Sequence, residues 1–273
     1  MNAATLPLLL EPDDLEHHLN NADVRVVDLC RADIHARQHI PGSVHLDYTK
    51  IIRNTPPVLG LLPDAKTLSG IFSGLGLTPD TQVVAYDEEG GGKAARLLWT
   101  LHAMGHTHVT LLNGGLAAWA AEGHRVDSTA VSVTPTSYSV NVNNSVIADR
   151  AYVVGQLKNS GVRLLDCRTA REFSGAVRSA ERAGHIPGAV NMEWLLAMDQ
   201  SRNLRFKSPE ELRALLAQRG ITPDKEVVVY CHTHHRSAHT YMVLKSLGYE
   251  RVRGYPGSWS DWGNAADTPV ETA

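Results

Sequence analysis

The chain of 273 residues contains the same sequence pattern twice, and this internal repeat limits its possible folds more than any other feature. One pair of segments reads Leu-Thr-Pro-Asp and Ile-Thr-Pro-Asp, each followed by an apolar run ending in tyrosine. A second pair reads His-Ile-Pro-Gly in both copies. The paired segments are 39–42 with 185–188, 77–86 with 221–230, and 113–119 with 256–262. Similarity that keeps its order at three separated places indicates a tandem duplication.

Short apolar runs alternate with helical patterns in both copies, which predicts an α/β fold with mostly parallel sheets flanked by helices. The predicted strands are Arg25–Leu29, Gln82–Tyr86, Val109–Leu112, Arg163–Asp166, Glu226–Tyr230 and Arg251–Gly254. The predicted helices are Asp13–Leu19, Ala65–Leu75, Ala94–Met104, Ala151–Lys158, Pro209–Gln218 and Ala238–Leu247. We expect two similar domains, residues 1–125 and 146–273. An extended connector over residues 126–145 joins them, and its apolar alternation predicts that it lies on a surface.

Composition excludes several classes of function. The formal net charge of −3 gives no general attraction for nucleic acid or an anionic membrane. No segment approaches the length of a membrane span, and the apolar stretch at 6–10 is too short for a signal peptide. Cys30, Cys167 and Cys231 are three cysteines without Cys-x-x-Cys spacing, so we expect no disulfide framework or Cys-rich zinc site. These features predict a cytoplasmic protein.

One cysteine in the second copy has the surroundings of a nucleophile. Cys231 directly follows the apolar run Val227–Tyr230, and Arg236 comes five residues later at the start of a helical stretch. The N–H groups and the dipole of a helix N-terminus favour negative charge there, and so does a guanidinium. The pattern therefore predicts that Cys231 is present as a thiolate.

The first copy has an aspartate, Asp87, where the second has Cys231. The loop that follows Asp87 is acidic and rich in glycine, with the sequence Glu-Glu-Gly-Gly-Gly at 88–92. A carboxylate cannot replace a thiolate as a sulfur nucleophile, and acidic side chains repel an anionic substrate. We therefore interpret the first copy as chemically silent, with the function of covering and shaping the second.

The repeat, the run His-Ile-Pro-Gly-Ala at 185–189, the single Cys loop and the closing segment 255–262 together resemble the tandem-domain rhodaneses, which are sulfurtransferases. The pattern Cys-x-Thr-His-His-Arg-Ser at 231–237 resembles a bacterial subgroup of them. The resemblance implies two rhodanese-like α/β domains, with the active site near the interface between them. It also implies that Cys231 cycles through a persulfide, taking sulfur from a donor such as thiosulfate and passing it to cyanide or another thiophilic acceptor.

The candidate site residues follow from this resemblance. Cys231 is the predicted nucleophile. The predicted substrate-binding residues are His232, Thr233, His234, His235, Arg236 and Ser237 in the loop, together with Trp194, which is equally consistent with a core position. We expect neither a cofactor nor a bound metal. His235 and His239 have the i, i+4 spacing of metal ligands, but a metal on Cys231 would quench the nucleophile.

The loop length distinguishes the chain from thiol phosphatases, and two sequence differences distinguish it from better-known relatives. Thiol phosphatases use a Cys-x5-Arg loop, whereas four residues separate Cys231 from Arg236, a tighter cradle that suits a bare sulfur atom. Familiar relatives tend to have a substrate-contacting arginine where Glu172 stands, and they lack the histidine-rich loop, so the sequence does not identify the sulfur donor.

The alternative function is a persulfide carrier that takes sulfur from a cysteine desulfurase or 3-mercaptopyruvate to a protein client. A purely structural or signalling module is disfavoured by the intact loop. We expect a monomer.

Overall fold

The structure is a computed structural model, and it describes residues 6–272. In its first half the strands are β1 (Leu9–Leu10), β2 (Val24–Asp28), β3 (Val44–His45), β4 (Arg53–Thr55), β5 (Val58–Leu61), β6 (Gln82–Tyr86) and β7 (Val109–Leu112). The helices there are α1 (Pro12–Glu16), α2 (Ala32–Arg37), α3 (Ala65–Gly74), α4 (Gly92–Ala103) and α5 (Gly115–Ala121).

The second half repeats the alternation of strands and helices. Its strands are β8 (Val162–Asp166), β9 (Val190–Asn191), β10 (Met198–Asp199), β11 (Arg205–Phe206), β12 (Glu226–Tyr230) and β13 (Val252–Gly254). Its helices are α6 (Arg150–Gln156), α7 (Ala170–Phe173), α8 (Pro209–Ala217), α9 (Arg236–Ser246) and α10 (Ser258–Trp262). None of the helices described in residues 6–272 is both long enough and apolar enough to cross a membrane.

The described chain divides into two compact units that do not follow the midpoint of the sequence. Unit 1 contains the chain up to Ile51, then Pro63–Asn143 and Asp199–Phe206. Unit 2 contains Ile52–Leu62, Asn144–Met198 and the chain from Lys207 onward. Each unit thus includes a short segment from the other half of the sequence.

The sheet of unit 1 has the strand order β1-β7-β6-β2-β3, and every neighbouring pair is parallel. All five residues of β6 are buried, as expected for a central strand covered on both faces. Residues 128–143 contain no helix or strand and follow the surface of this unit. Within this stretch, Thr136 N donates to Ser73 O at 3.0 Å and Asn141 N donates to Met104 O at 3.0 Å.

The sheet of unit 2 has the order β13-β12-β8-β9 and is also parallel throughout. The register repeats that of unit 1: Tyr230 pairs with Asp166 as Tyr86 pairs with Asp28. The antiparallel hairpin β4–β5 belongs to unit 2, although it comes from the first half of the sequence. The core of the unit contains two fully buried tryptophans, Trp259 and Trp262 of α10.

The α/β fold with parallel sheets is confirmed, and all six predicted strands and all six predicted helices are present with ends shifted by up to three residues. The sequence reading missed shorter elements: β1, β3, the hairpin β4–β5, β9, β10, β11, and the helices α2, α5, α7 and α10. Strands of two to four residues and helices of four to seven are too short for their periodicity to be detected.

Candidate active site

Cys231 lies at the carboxyl end of β12, which is an inner strand of the unit 2 sheet. The β-branched run at 227–229 forms this strand because its side chains pack on both faces of the sheet, where they are fully buried. The strand pairs with β8 on one side and β13 on the other. The carboxyl end of a parallel strand is where open α/β sheets bind their ligands. Cys231 itself is only 1% exposed.

The N-terminal residues of α10 hold the backbone that follows β12. Cys231 N donates to Ser258 Oγ at 3.2 Å, and Trp259 N donates to Cys231 O at 3.0 Å. The next residue is held in the same way, because Ser260 N donates to His232 O at 3.0 Å. Three backbone groups of the loop thereby have hydrogen-bond partners in α10, which fixes the backbone that carries the thiol.

The electrostatic surroundings of Cys231 favour its thiolate. Burial by itself would raise the pKa of this thiol, since it disfavours the charged form. The charge of Arg236, the hydroxyl and N–H of Ser237 and the N–H of Thr233 outweigh that effect and hold the pKa of Cys231 below its ordinary value. Thiolate is the nucleophilic form of cysteine, so this loop can supply a sulfur nucleophile.

The other two cysteines have the opposite behaviour. Cys167 and Cys30 are also buried, and burial raises the pKa of each thiol far above its ordinary value. The carboxylate of Asp28 raises the pKa of Cys30 further. All three thiols are free of disulfides. Cys231 is therefore the one cysteine of the chain whose surroundings stabilise a negative sulfur.

Arg236 is held by a bidentate ion pair with Glu172. Its Nη1 lies 2.7 Å from Glu172 Oε2, and its Nη2 donates to Oε1 at 3.0 Å. Glu172 is the N3 residue of α7, and its carboxylate also accepts from N and Oγ1 of Thr169 in a capping box. Burial would raise the pKa of Glu172, but these bonds and the charge of Arg236 lower it to about 2. The guanidinium is thus fixed in one orientation beside the loop.

The histidines of the loop have different surroundings. His234 is fully buried, has a positive φ of 57°, and its Nδ1 lies 2.7 Å from Ser237 Oγ. This contact orients the serine whose hydroxyl faces the thiol. His232 lines a cavity of about 550 Å³ together with Leu59 and Ser260. Burial lowers the pKa of His232, and the charge of Arg236 adds to the effect.

Trp194 lies beside the loop. Its ring centroid is 5.6 Å from that of His235 and 5.3 Å from that of His239, the latter in an edge-to-face arrangement. Trp194 N also donates to Cys167 O at 3.2 Å. Among the described residues, the loop histidines belong to no group of three or more potential ligands whose atoms lie within 4.8 Å of one another. Within residues 6–272 such a group occurs at Asp13, Glu122 and His124 in unit 1.

The silent loop of unit 1 has the same plan with a different residue at its centre. Asp87 follows β6, and its Oδ1 accepts from the N–H groups of Glu89 and Gly91 at 2.9 and 2.8 Å. Its Oδ2 accepts from Ala94 N at 2.9 Å. The loop therefore surrounds an anion with backbone N–H groups, and the anion is its own side chain. Leu116 N donates to Asp87 O at 2.9 Å, as Trp259 N does to Cys231 O.

Comparison with known proteins agrees with this repeated plan. The family model of the rhodanese-like domain matches residues 11–122 and again residues 149–265. The chain belongs to the rhodanese family. A rhodanese domain therefore contains each of the two loops, the one with Asp87 and the one with Cys231.

Several relatives match over nearly the whole chain. The thiosulfate sulfurtransferase of Pseudomonas aeruginosa is 42% identical over 97% of this chain and 97% of its own length. The sulfur carrier protein TtuD of Thermus thermophilus is 34% identical over 99% and 98%. Among solved structures, the 3-mercaptopyruvate sulfotransferase SseA of Escherichia coli is similar with a TM-score of 0.83 and 26% identity, covering 93% of this chain and 99% of SseA.

The structure adds residues that the sequence reading did not place in the site. The sequence marks Glu172 only as a departure from relatives, whereas in the structure it binds Arg236. The sequence marks Ser258 only as part of a repeated segment, whereas in the structure its hydroxyl accepts from Cys231 N. The Ser-Trp signal in that segment marks the start of α10, and no sequence signal marks the contact itself. The roles predicted for the eight site residues stay predictions.

Proposed function

We propose that this rhodanese is a sulfurtransferase that moves a sulfane sulfur from thiosulfate to cyanide or another thiophilic acceptor through a persulfide on Cys231. The observation that carries the proposal is the contrast among the three thiols. The surroundings of Cys231 lower its pKa, whereas burial raises the pKa of Cys30 and Cys167. The identity to thiosulfate sulfurtransferases over almost the whole chain supports the choice of donor.

The reaction has two displacement steps. In the first, the Cys231 thiolate attacks the outer sulfur of thiosulfate, the sulfur–sulfur bond of the donor breaks, and sulfite leaves with the electron pair. The product is a Cys231 persulfide anion. In the second, cyanide attacks the terminal sulfur of the persulfide, the new sulfur–sulfur bond breaks, and thiocyanate leaves the restored thiolate. Formation of a covalent intermediate predicts ping-pong kinetics.

The described residues supply what both steps need. Arg236 and the N–H groups of Thr233 and Ser237 stabilise negative sulfur, which is the nucleophile in the first step and the leaving group in the second. His234 orients the hydroxyl of Ser237. His232, His235 and Trp194 lie around the loop, where the donor and acceptor approach.

A second candidate function is a persulfide carrier, and the 34% identity to the sulfur carrier protein TtuD favours it. In that case a cysteine desulfurase or 3-mercaptopyruvate loads Cys231, and a protein or cofactor-assembly client removes the sulfur. The loop chemistry is the same. The two candidates differ in whether small molecules or proteins give the faster transfer. The free thiols of all three cysteines support the predicted cytoplasmic location, and the monomeric state also stays a prediction.

The test is intact mass spectrometry of the purified protein before and after thiosulfate, and again after cyanide. We expect addition of one sulfur atom, its removal by cyanide, and release of thiocyanate in equal amount. Cys231→Ser is the variant that must not load, and Cys167→Ser is the matched control that must load normally.

The outcomes separate the candidates. If thiosulfate adds no sulfur while 3-mercaptopyruvate or a cysteine desulfurase does, the donor is wrong and the carrier function is favoured. If no donor loads Cys231, the sulfurtransferase proposal is overturned.

A further inference from the structure

The hairpin β4–β5 lies against the residues that hold the catalytic loop. Ser260 of α10 connects them: its Oγ accepts from Leu59 N at 3.0 Å and lies 3.0 Å from Leu59 O, while its own N donates to His232 O. Within the hairpin, Gly60 N donates to Asn54 Oδ1 at 2.9 Å. The hairpin is therefore anchored to α10 at Leu59, and the Asn54 side chain holds the next residue, Gly60, within the hairpin.

Gly60 approaches the catalytic loop too closely for any side chain. A Cβ at this position would lie 2.3 Å from Thr233 O, 2.7 Å from Thr233 Cβ and 2.8 Å from Thr233 C. Non-bonded carbon atoms do not approach below about 3.4 Å without strong repulsion. Because two of these contacts are with backbone atoms, a larger residue at position 60 must push the backbones of the hairpin and the loop apart. The φ of Gly60 is also positive, at 73°.

The displaced residue is one that touches the reacting sulfur. Thr233 N–H is one of the groups that stabilise the Cys231 thiolate, together with Arg236 and Ser237. The carbonyl of Thr233, against which Gly60 lies, belongs to the same residue. The added Cβ would press on Thr233 Cβ and C, which are bonded to the same Cα as the Thr233 N, so the push shifts this Cα and with it the rigid peptide unit that contains the N–H.

We propose that Gly60 is a positioning residue for the sulfur-binding loop: its lack of a side chain allows the hairpin to set the place of Thr233, and through it the stability of negative sulfur on Cys231. The half of the chain that contains the silent loop thus contributes directly to the reactive one, within unit 2. The proposal rests on the proposed function only in taking the Cys231 sulfur as the reacting atom. The contacts that carry it concern the stability of the Cys231 thiolate alone.

The test is the variant Gly60→Ala, followed by the pH dependence of Cys231 alkylation by iodoacetamide. We expect the midpoint to rise by about one pH unit, as for the loss of one hydrogen bond to a charged group, so that alkylation at a pH below the wild-type midpoint slows about tenfold. Mass spectrometry of peptides separates Cys231 from the buried Cys30 and Cys167. Alanine at Gly220 is the matched control: its φ is 68° and nothing lies within 4 Å of the added Cβ, so it has the same backbone strain without the contact.

Equal midpoints for Gly60→Ala and Gly220→Ala would overturn the proposal, because backbone strain alone would then explain the glycine. If Gly60→Ala does not fold, Asn54→Ala decides the question. Asn54 is exposed and its side chain anchors Gly60, so this variant should fold and shift the midpoint upward by a smaller amount. An unchanged midpoint in Asn54→Ala would then count against the hairpin. Sulfur loading of the wild type by thiosulfate is measured separately. A wild type that does not load would contradict the proposed function but not the alkylation result.

Discussion

The loops of Asp87 and Cys231 occupy equivalent places in two repeats and differ in what fills them. Each follows an inner parallel strand and precedes a helix of eleven or twelve residues. An aspartate carries its oxygens two bonds beyond Cβ, which is also the position of the outer sulfur in a cysteine persulfide. The Asp87 carboxylate accepts three backbone N–H bonds at 2.8–2.9 Å. The rhodanese loop is thus an anion site, and the silent copy shows it with an anion already in place.

The surrounding charges differ as much as the central residues. In the silent loop, burial and the nearby Glu89 raise the pKa of Asp87 to about 6, so the anion is held at a cost. The lysine of that loop, Lys93, lies 2.7 Å from Glu88. In the reactive loop, burial would raise the pKa of Cys231, but Arg236 together with the hydrogen bonds from Ser237 and Thr233 outweighs it, and the pKa falls. The charges beside the two loops therefore explain why the pKa of the Asp87 carboxyl is raised, whereas the pKa of the Cys231 thiol is lowered.

The largest effect should come from Cys231→Asp, which places the silent residue in the reactive loop. Because the Asp87 loop shows that this backbone accommodates a carboxylate, we expect a folded protein that loads no sulfur and has no measurable turnover. Intact mass and thiocyanate release are the measurements. The matched control is Asp87→Asn, which leaves every residue of the Cys231 loop in place, so the folded variant should load sulfur and turn over as the wild type does. Turnover in Cys231→Asp would mean that another group is the nucleophile.

The next effect tests the charge beside the thiol. Arg236→Gln removes the largest group that lowers the pKa of Cys231. A neighbouring opposite charge shifts a pKa by about 1–3 units, so alkylation of Cys231 at a pH below the wild-type midpoint should slow about tenfold or more. The pH profile of alkylation measures this shift, with the exposed Arg213→Gln as control. A midpoint equal to that of the wild type would show that the N–H groups alone stabilise the thiolate.

A smaller effect is expected on stability from Glu172→Gln. The pKa of Glu172 is about 2 in the folded chain against 4.5 ordinarily, so its ion pair contributes stability that is complete above pH 4.5 and is lost as pH falls toward 2. The difference between 4.5 and about 2 corresponds to about 3 kcal/mol at neutral pH, which solvent screening of this half-buried pair reduces to about 2 kcal/mol. We expect the free energy of unfolding of Glu172→Gln, measured with urea, to be lower than wild type at pH 6 and to approach it near pH 3. For the exposed Glu210→Gln the difference should be small at both pH values.

The sequence predicted the long elements and the nucleophile because both have local signals. Apolar runs such as Val227–Tyr230 identify buried strands, and a cysteine between such a strand and a helix identifies a thiolate loop. The repeat also shows that the first copy lacks this cysteine, because Asp87 occupies the position equivalent to Cys231. These inferences needed only neighbours along the chain.

The rest of the site depends on contacts between residues far apart in sequence. Glu172 binds Arg236 across 64 positions, and the hairpin of Leu59 reaches Ser260 across 201. Neither contact leaves a periodic pattern, because each consists of a single side chain or a single close approach. The predicted domain limits stay a prediction, although unit 2 includes Ile52–Leu62 from the first half of the chain.

A cysteine placed in the silent loop should not become reactive. In the Cys231→Ser background, we expect the added change Asp87→Cys to create no new sulfur-loading site, although it places a cysteine in the equivalent loop. The thiol would lie among Glu88 and Glu89, with Lys93 already paired to Glu88, and burial would keep its pKa high. Intact mass after thiosulfate and the pH profile of alkylation at position 87 measure the outcome. Sulfur loading at that position would show that the backbone N–H groups suffice and that the charge beside the loop is secondary.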